Sequence, residues 1–249
     1  MDLAALRDAA ESGRAIEGAD LSALDLADAA LEDAQFTGCV FTETVFAGTR
    51  LGSAAFINCR FTACRFAQAD LRGARFAQCR FDGPTPVRFA FSELREAVFD
   101  GCDMARAEFE RCGLYDVAYE TCQLRGARFT RPDFSAVLGR KTILTRAALR
   151  NCQLGFADLA EAALPGCTLS GSRLGEAELR GADLTGADLT GCDLAMASLD
   201  GAKLAGADLR GADLTGLDPR RLATVRGMKI TPEQQHMLLL AMGVDVLPG

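Results

Sequence analysis

The sequence predicts a single all-β repeat solenoid with a short helix at each end, and three observations carry that expectation. An apolar residue returns at every fifth position along most of the 249 residues, a small residue stands two positions before it, and a glycine often stands two positions after it. A helix repeats near 3.6 and a strand near 2, so a sustained period of five marks each pentad as one structural unit that returns the chain to the same geometry. Between Gly181 and Gly216 the centres are Leu184, Leu189, Leu194, Leu199, Leu204, Leu209 and Leu214. The register extends back through Leu179 to Leu144, then through Phe134, Phe129, Leu124, Tyr119, Leu114, Phe109, Met104, Phe99, Leu94 and Phe89. Upstream of a slip it continues from Phe81 to Ile16.

These residues, read as A(D/N)LXX units such as Ala182-Asp183-Leu184-Thr185-Gly186, resemble the pentapeptide-repeat family over residues 16 to 216. The resemblance implies a right-handed quadrilateral β-helix with one pentad per side and about twenty residues per coil. It also implies that the central Leu or Phe and the small residue two before it point inward. About 39 units then make about ten coils, roughly 48 Å of rod at ~4.8 Å per coil. Such a chain is one quasi-one-dimensional domain in which each coil contacts mainly its neighbours. Three segments are expected: 1–15 as an N-terminal capping helix, 16–216 as the β-helix, and 217–249 as a C-terminal helical cap and dimerisation segment.

The first element in chain order is a helix over residues 2 to 12, with Asp2 as its cap and Leu3, Leu6 and Ala10 on one side to cover the first coil. Residues 1 to 43 carry a net charge of −8, whereas residues 44 to 81 carry +5 through Arg50, Arg60, Arg65, Arg72, Arg75 and Arg80. In that basic belt the centres are mostly Phe, expected to stack in columns within the core. The eight-residue interval from Phe81 to Phe89 holds three residues beyond one pentad, and proline is confined to edges, bulges and turns. A small outward bulge at 82–88 is therefore expected near Pro84 and Pro86. A second irregularity at 135–143 falls on Gly139, where a centre is due. Either Leu138 substitutes through a kink, or Ser135 to Ile143 forms a loop bearing Arg140 and Lys141. Pro219 ends the coil in this reading. Thr231-Pro232-Glu233-Gln234 then opens a helix with a capping box, Gly243 closes it, and Val244, Val246 and Leu247 suit a short strand.

All ten cysteines stand two positions before a centre, the slot elsewhere filled mostly by Ala, so they are expected to be small core residues. In twenty-residue coils, Cys39, Cys59 and Cys79 fall in one column at ~4.8 Å, within reach of a disulfide. The N-terminus reads as lacking a secretory signal, so reduced thiols and a cytoplasmic location are expected. No apolar run reaches the length of a membrane span. The single His236 and the absence of any Cys-x-x-Cys pair leave no recognisable metal or cofactor motif.

An enzyme is disfavoured, because no Ser-His-Asp or Cys-His arrangement is available within the coils and the glycines follow the five-residue beat rather than a phosphate loop. The net charge of −7 disfavours nucleic acid as a direct ligand. The C-terminal segment from Met228 to Pro248 is similar to the tail of the Qnr and MfpA-like members of the family. That similarity implies a DNA-mimicking partner of gyrase or topoisomerase IV that protects them from quinolones or related toxins, dimerised through its last helix. The residues placed at the partner surface are Asp183, Asp188, Asp193, Asp208 and Asp213, within a segment of net charge −4. The residues placed at the dimer interface are Met237, Leu238, Leu240, Met242 and Val244, and Pro84, Pro86, Arg140 and Lys141 are the loop contacts. A passive interaction scaffold in secretion or signalling fits the same pentads.

Overall fold

The computed structural model describes residues 2–139 and 142–247, and over them the chain winds into a right-handed, four-sided β-helix. On the first face seven strands stack in parallel, from Ile16–Glu17 to Ala147–Arg150. Their central residues form the column Ile16, Phe36, Phe56, Phe76, Phe99, Tyr119 and Leu149. The face continues as isolated parallel bridges of the residues that precede its centres, Ala148, Thr168, Asp188, Asp208 and Lys229. Two other faces hold sheets of three and four strands, and the remaining face is built of bridges alone. Strand-like sides belong mainly to Phe-centred pentads. Leu-centred ones turn more tightly, the amide three residues on bonding back to the central carbonyl, as from Ala54 to Leu51 at 3.0 Å.

The core is the predicted ladder. Phe41, Phe61 and Phe81 stack with centroids 4.8 Å apart, and the Phe56 and Phe76 rings lie 4.7 Å apart and 5° from parallel. Adjacent faces meet edge to face, as Phe56 with Phe61 at 5.4 Å and 69°, so each ring packs both along and across the rod. All ten cysteines are buried beside them. Except for Cys167, whose thiol reaches the Pro165 carbonyl, their thiols donate to carbonyls one coil below, as Cys112 Sγ does to the Phe89 oxygen at 3.2 Å, and burial pushes the Cys112 thiol up to about 12. The two residues at the corner after each centre turn the chain, the second with positive φ. Gly186 takes that conformation without strain at 67°, whereas Phe156 at 59° and Met196 at 58° do so as large side chains.

The helix α1, Leu3–Glu11, is capped by the Asp2 carboxylate, which accepts from the Ala5 N–H at 2.9 Å, and it buries Leu6 and Ala9 on the first coil. The bulge at 83–87 lies where the register slip puts it, with Pro84 exposed and Pro86 half-buried. The Arg60 to Asp82 ion pair at 3.0 Å and an Arg106 N–H donated to the Gly83 carbonyl at 3.0 Å hold the chain where it enters the bulge.

Two expectations about register are corrected. Leu144 is not a centre: it is 37% exposed, and the coil resumes at Ala147 and Leu149. Ser135–Leu138 and Thr142–Thr145 instead pair antiparallel as a hairpin projecting from the rod. The loop residues Arg140 and Lys141 lie outside the described residues. The second correction is that Pro219 does not end the winding. Asp218 caps a one-turn 3₁₀ helix, Pro219–Arg221, which lengthens a corner by one residue, and parallel pairing resumes at Thr224 with Lys203 and Lys229 with Asp208.

The helix α2, Pro232–Ala241, then closes the rod. The Gln234 amide completes the capping box by accepting from the Thr231 N–H at 2.7 Å, and its NH₂ donates to the Leu209 and Ala212 carbonyls at 2.7 Å each. The Leu209 carbonyl also accepts from the Ala212 N–H at 3.0 Å, but the Ala212 carbonyl has no further coil to bond, so one buried side chain both starts the helix and satisfies the open end of the sheet. Residues 244–247 follow without forming the anticipated strand.

Candidate functional site

The repeat fixes where each polar side chain stands: the residue before a centre faces outward in a column with its counterparts one coil above and below. Asp188 and Asp208 are neighbours in one such column and Asp193 and Asp213 in another, on adjacent faces of the rod. Asp183 lies in a third column, beside Lys203, which it pairs at 3.1 Å. The five carboxylates thus spread over three faces rather than forming one stripe. Each one accepts from the backbone N–H two residues on, at 2.9 to 3.2 Å: Thr185, Thr190, Ala195, Arg210 and Thr215. This Asx turn is a structural duty of the Asp in the repeat, and the recurring Asp-Leu-Thr spacing carried that signal unread.

Charge at this end is also partly cancelled from outside the acidic segment. Arg221 reaches Asp200 and Lys229 approaches Asp208 at 4.0 Å, while Arg210 grips Asp208 with two N–H bonds of 2.9 and 2.7 Å. The Arg210 guanidinium holds the Asp208 carboxyl down to about 2. Asp188, Asp193 and Asp213 have no ion pair among the described residues, and the Thr215 hydroxyl and N–H lower the Asp213 pKa. The basic belt is similarly divided: Arg50, Arg60 and Arg72 pair with Glu32, Asp82 and Asp70, and beyond the belt Arg88 pairs with Glu110. Arg65, Arg75 and Arg80 have no ion pair among the described residues. An open groove of about 860 Å³ lies between the 83–87 bulge and the face bearing Arg65 and Arg88.

The residues assigned to the C-terminal interface separate by the face of α2 on which they stand. Leu238 is 6% exposed and packs on its own last coil, so it is not free for a partner. Met237, Leu240, Met242 and Val244 are each more than two-fifths exposed and stand outward, joined by Leu247. One lid residue for one coil end, plus Gln234, is all that α2 buries. His236 is exposed on the same helix, and among the described residues no three His, Cys, Asp or Glu side chains are placed to hold a metal ion. No described helix is long and apolar enough to cross a membrane.

The sequence models for "Pentapeptide repeats" and "Pentapeptide repeat region" match residues 142–216 and 15–85, together more than half of the chain. The chain belongs to the pentapeptide-repeat family. Among characterised relatives it is 26% identical over 79 residues to the pentapeptide repeat protein QnrB4 of Escherichia coli. It is 27% identical over 79 residues to the quinolone resistance pentapeptide repeat protein QnrB96 of Scandinavium goeteborgense. Each match takes in 32% of this chain and 37% of the relative, so the chain spans just over a third of the length of these relatives in alignment. The fold likeness is longer. A trypsin-treated QnrB1, described as a plasmid-mediated fluoroquinolone resistance protein, superposes with a TM-score of 0.66 over 94% of this chain and 99% of its own, at 22% identity. Full-length QnrB1 gives 0.59 over 90% of this chain at 24% identity.

Proposed function

We propose that this pentapeptide-repeat protein is a non-enzymatic, cytoplasmic protein ligand that binds DNA gyrase or a related type II topoisomerase and protects it from quinolone-type inhibitors. The observation that carries this reading is the C-terminal end of the rod. There the unpaired carboxylates of Asp188, Asp193 and Asp213 lie on adjacent faces a few coils from an outward apolar surface of Met237, Leu240, Met242 and Val244. A homodimer through that surface joins two rods end to end and brings both acidic regions to the middle. Duplex DNA carries one charge per ~1.7 Å, so a mimic requires acid concentrated in this way rather than averaged along the rod. The quinolone-resistance names of the sequence relatives supply the choice of partner.

The alternative is a passive scaffold for another protein, and Arg221 and Lys229 favour it by reducing the acidic field where a mimic needs it most. Inhibition of gyrase supercoiling, measured with the wild type and with Asp188, Asp193, Asp208 and Asp213 all changed to Asn, separates the two. Asn retains the acceptor oxygen of the Asx turn, so the variant keeps its fold and loses only charge. Loss of inhibition with the dimer intact by sedimentation supports mimicry. No inhibition by the wild type itself supports the scaffold.

A further inference from the structure

The face that carries the four-stranded sheet starts, at the N-terminal end of the rod, with a column of three unlike residues. Asp25, Val45 and Arg65 are successive parallel bridge partners, one coil or ~4.8 Å apart, and all three are exposed, Val45 at 37%. Beside them runs a column of Ala27, Ala47 and Ala67: the Asp28 N–H donates to the Ala47 carbonyl at 2.9 Å and the Gly48 N–H to the Ala67 carbonyl at 2.8 Å. Small side chains keep this strip flat, and the groove beside the 83–87 bulge opens onto Val45, Arg65 and Ala67. Neither charge of the column is paired within the chain. Asp25 Oδ1 accepts from the Ala27 N–H at 3.0 Å, which leaves Oδ2 for another donor. Asp25 and Arg65 have no ion pair among the described residues, whereas Arg88, one coil above Arg65, is held by Glu110.

We propose that this face binds a second copy of itself, the two rods antiparallel and the two-fold axis passing at Val45. A two-fold axis lying across the rods in the contact plane reverses height and keeps left and right, so each column meets its own counterpart. Val45 then meets Val45, Asp25 meets the Arg65 of the second copy, and Arg65 meets its Asp25. Two ion pairs flank an apolar centre, and the alanine columns lie against each other. The same residues exclude the other arrangements. Parallel rods set the Asp25 column against the alanine column and leave both charges unpaired. Antiparallel rods with the axis between Val45 and Arg65 set Asp25 against Arg88, which Glu110 already holds. With the axis at Val45 the 83–87 bulge, one coil above Arg65, falls past the end of the opposing face, at the level of its lid α1. Glu43 meets its own copy only at an exposed corner, where a like-charge pair costs little. Three coils span about 14 Å, a contact smaller than the ~800 Å² per partner of a stable complex, so the pairing is concentration-dependent.

The contact is independent of a C-terminal dimer and of the topoisomerase reading. Its test uses the full chain with Val45→Cys, treated with a short bismaleimide cross-linker at micromolar protein, because a residue on a two-fold axis meets itself. The ten native cysteines are buried and do not compete. Val40→Cys is the control: Val40 is also 37% exposed, in the same coil on the adjacent face. Val45→Cys is expected to give covalent dimer at least tenfold faster than Val40→Cys. Adding Arg65→Asp is expected to slow that reaction at least tenfold, and adding Asp25→Arg to Arg65→Asp to restore it, since the exchange rebuilds both ion pairs with their signs reversed. Equal rates for Val45→Cys and Val40→Cys overturn the proposal, as does an exchanged variant with intact circular dichroism that stays slow. A dimer through α2 alone joins the far ends of the rods and gives no cross-link at Val45. Absence of that cross-link, with weaker binding of gyrase holoenzyme by Arg65→Asp, assigns the face to a foreign partner and overturns the second copy as occupant.

Discussion

Tyr119 and Leu149 lie opposite one another in adjacent coils, although thirty positions separate them where most coils take twenty. The ten extra residues equal two pentads, so the hairpin leaves the register unchanged on either side. Removing residues 135–144 is accordingly expected to close the coil with a stability change below about 1 kcal/mol, as for other surface changes. Urea unfolding of the variant checks this, and a large loss of stability contradicts the assignment of Leu149 as the next centre.

The same arithmetic explains why the hairpin was only half legible in the sequence. Gly139, standing where a centre is due, marked a kink or a loop at 135–143, but an insertion of two full pentads puts Leu144 back on the five-residue beat, so the period did not show where the coil resumes. The three-residue slip at 82–88 was legible because three is not a multiple of five. The positions of the centres and cysteines followed from the spacing, and their inward orientation from the resemblance to the pentapeptide-repeat family. The roles of Gln234 and Leu238 did not, because which face of α2 meets the coil end depends on how the chain crosses from Ile230 to the lid. The Asp side chains were read as free surface charge, whereas their backbone bonds depend on corner geometry that the period does not specify.

The Tyr119 hydroxyl is fully buried without a hydrogen-bond partner, and burial raises its pKa well above the ordinary value. Every other aromatic in its column is Phe, stacked without such a cost. Tyr119→Phe is expected to stabilise the rod by about 1 kcal/mol, since an unmade buried bond costs about 1–3 and a small gap offsets part of the gain. Denaturant midpoints for the two proteins measure the difference, and destabilisation contradicts it.

Gln234→Leu removes the side-chain donor to the Ala212 carbonyl, the second donor to the Leu209 carbonyl and the capping-box acceptor together. The expected loss is about 2–3 kcal/mol, the scale of buried groups left unsatisfied, felt first in the last coils because a solenoid unfolds from its ends. Hydrogen exchange should quicken at Leu209 and Ala212 before Phe61. Uniform quickening along the rod contradicts the end-capping role.

Acid should loosen the rod. Asp208 is held to about 2, and Asp70, Asp213 and Asp218 are also lowered from the ordinary 3.8. A carboxyl with a lower pKa folded than unfolded contributes stability that is complete above the unfolded value and lost as pH falls through the folded one. The melting temperature is therefore expected to be level from pH 7 to about 5 and to fall between about 4 and 2. A rise on acidification contradicts the depressed values.

Binding of the purified protein to purified gyrase, measured by calorimetry at about 50 and 200 mM salt, is the most direct test of the functional reading. A surface acting through Asp188, Asp193 and Asp213 predicts saturable binding that weakens as salt rises and disappears when those residues and Asp208 become Asn. Absence of binding at low salt, or binding unchanged by both salt and the fourfold substitution, would contradict it.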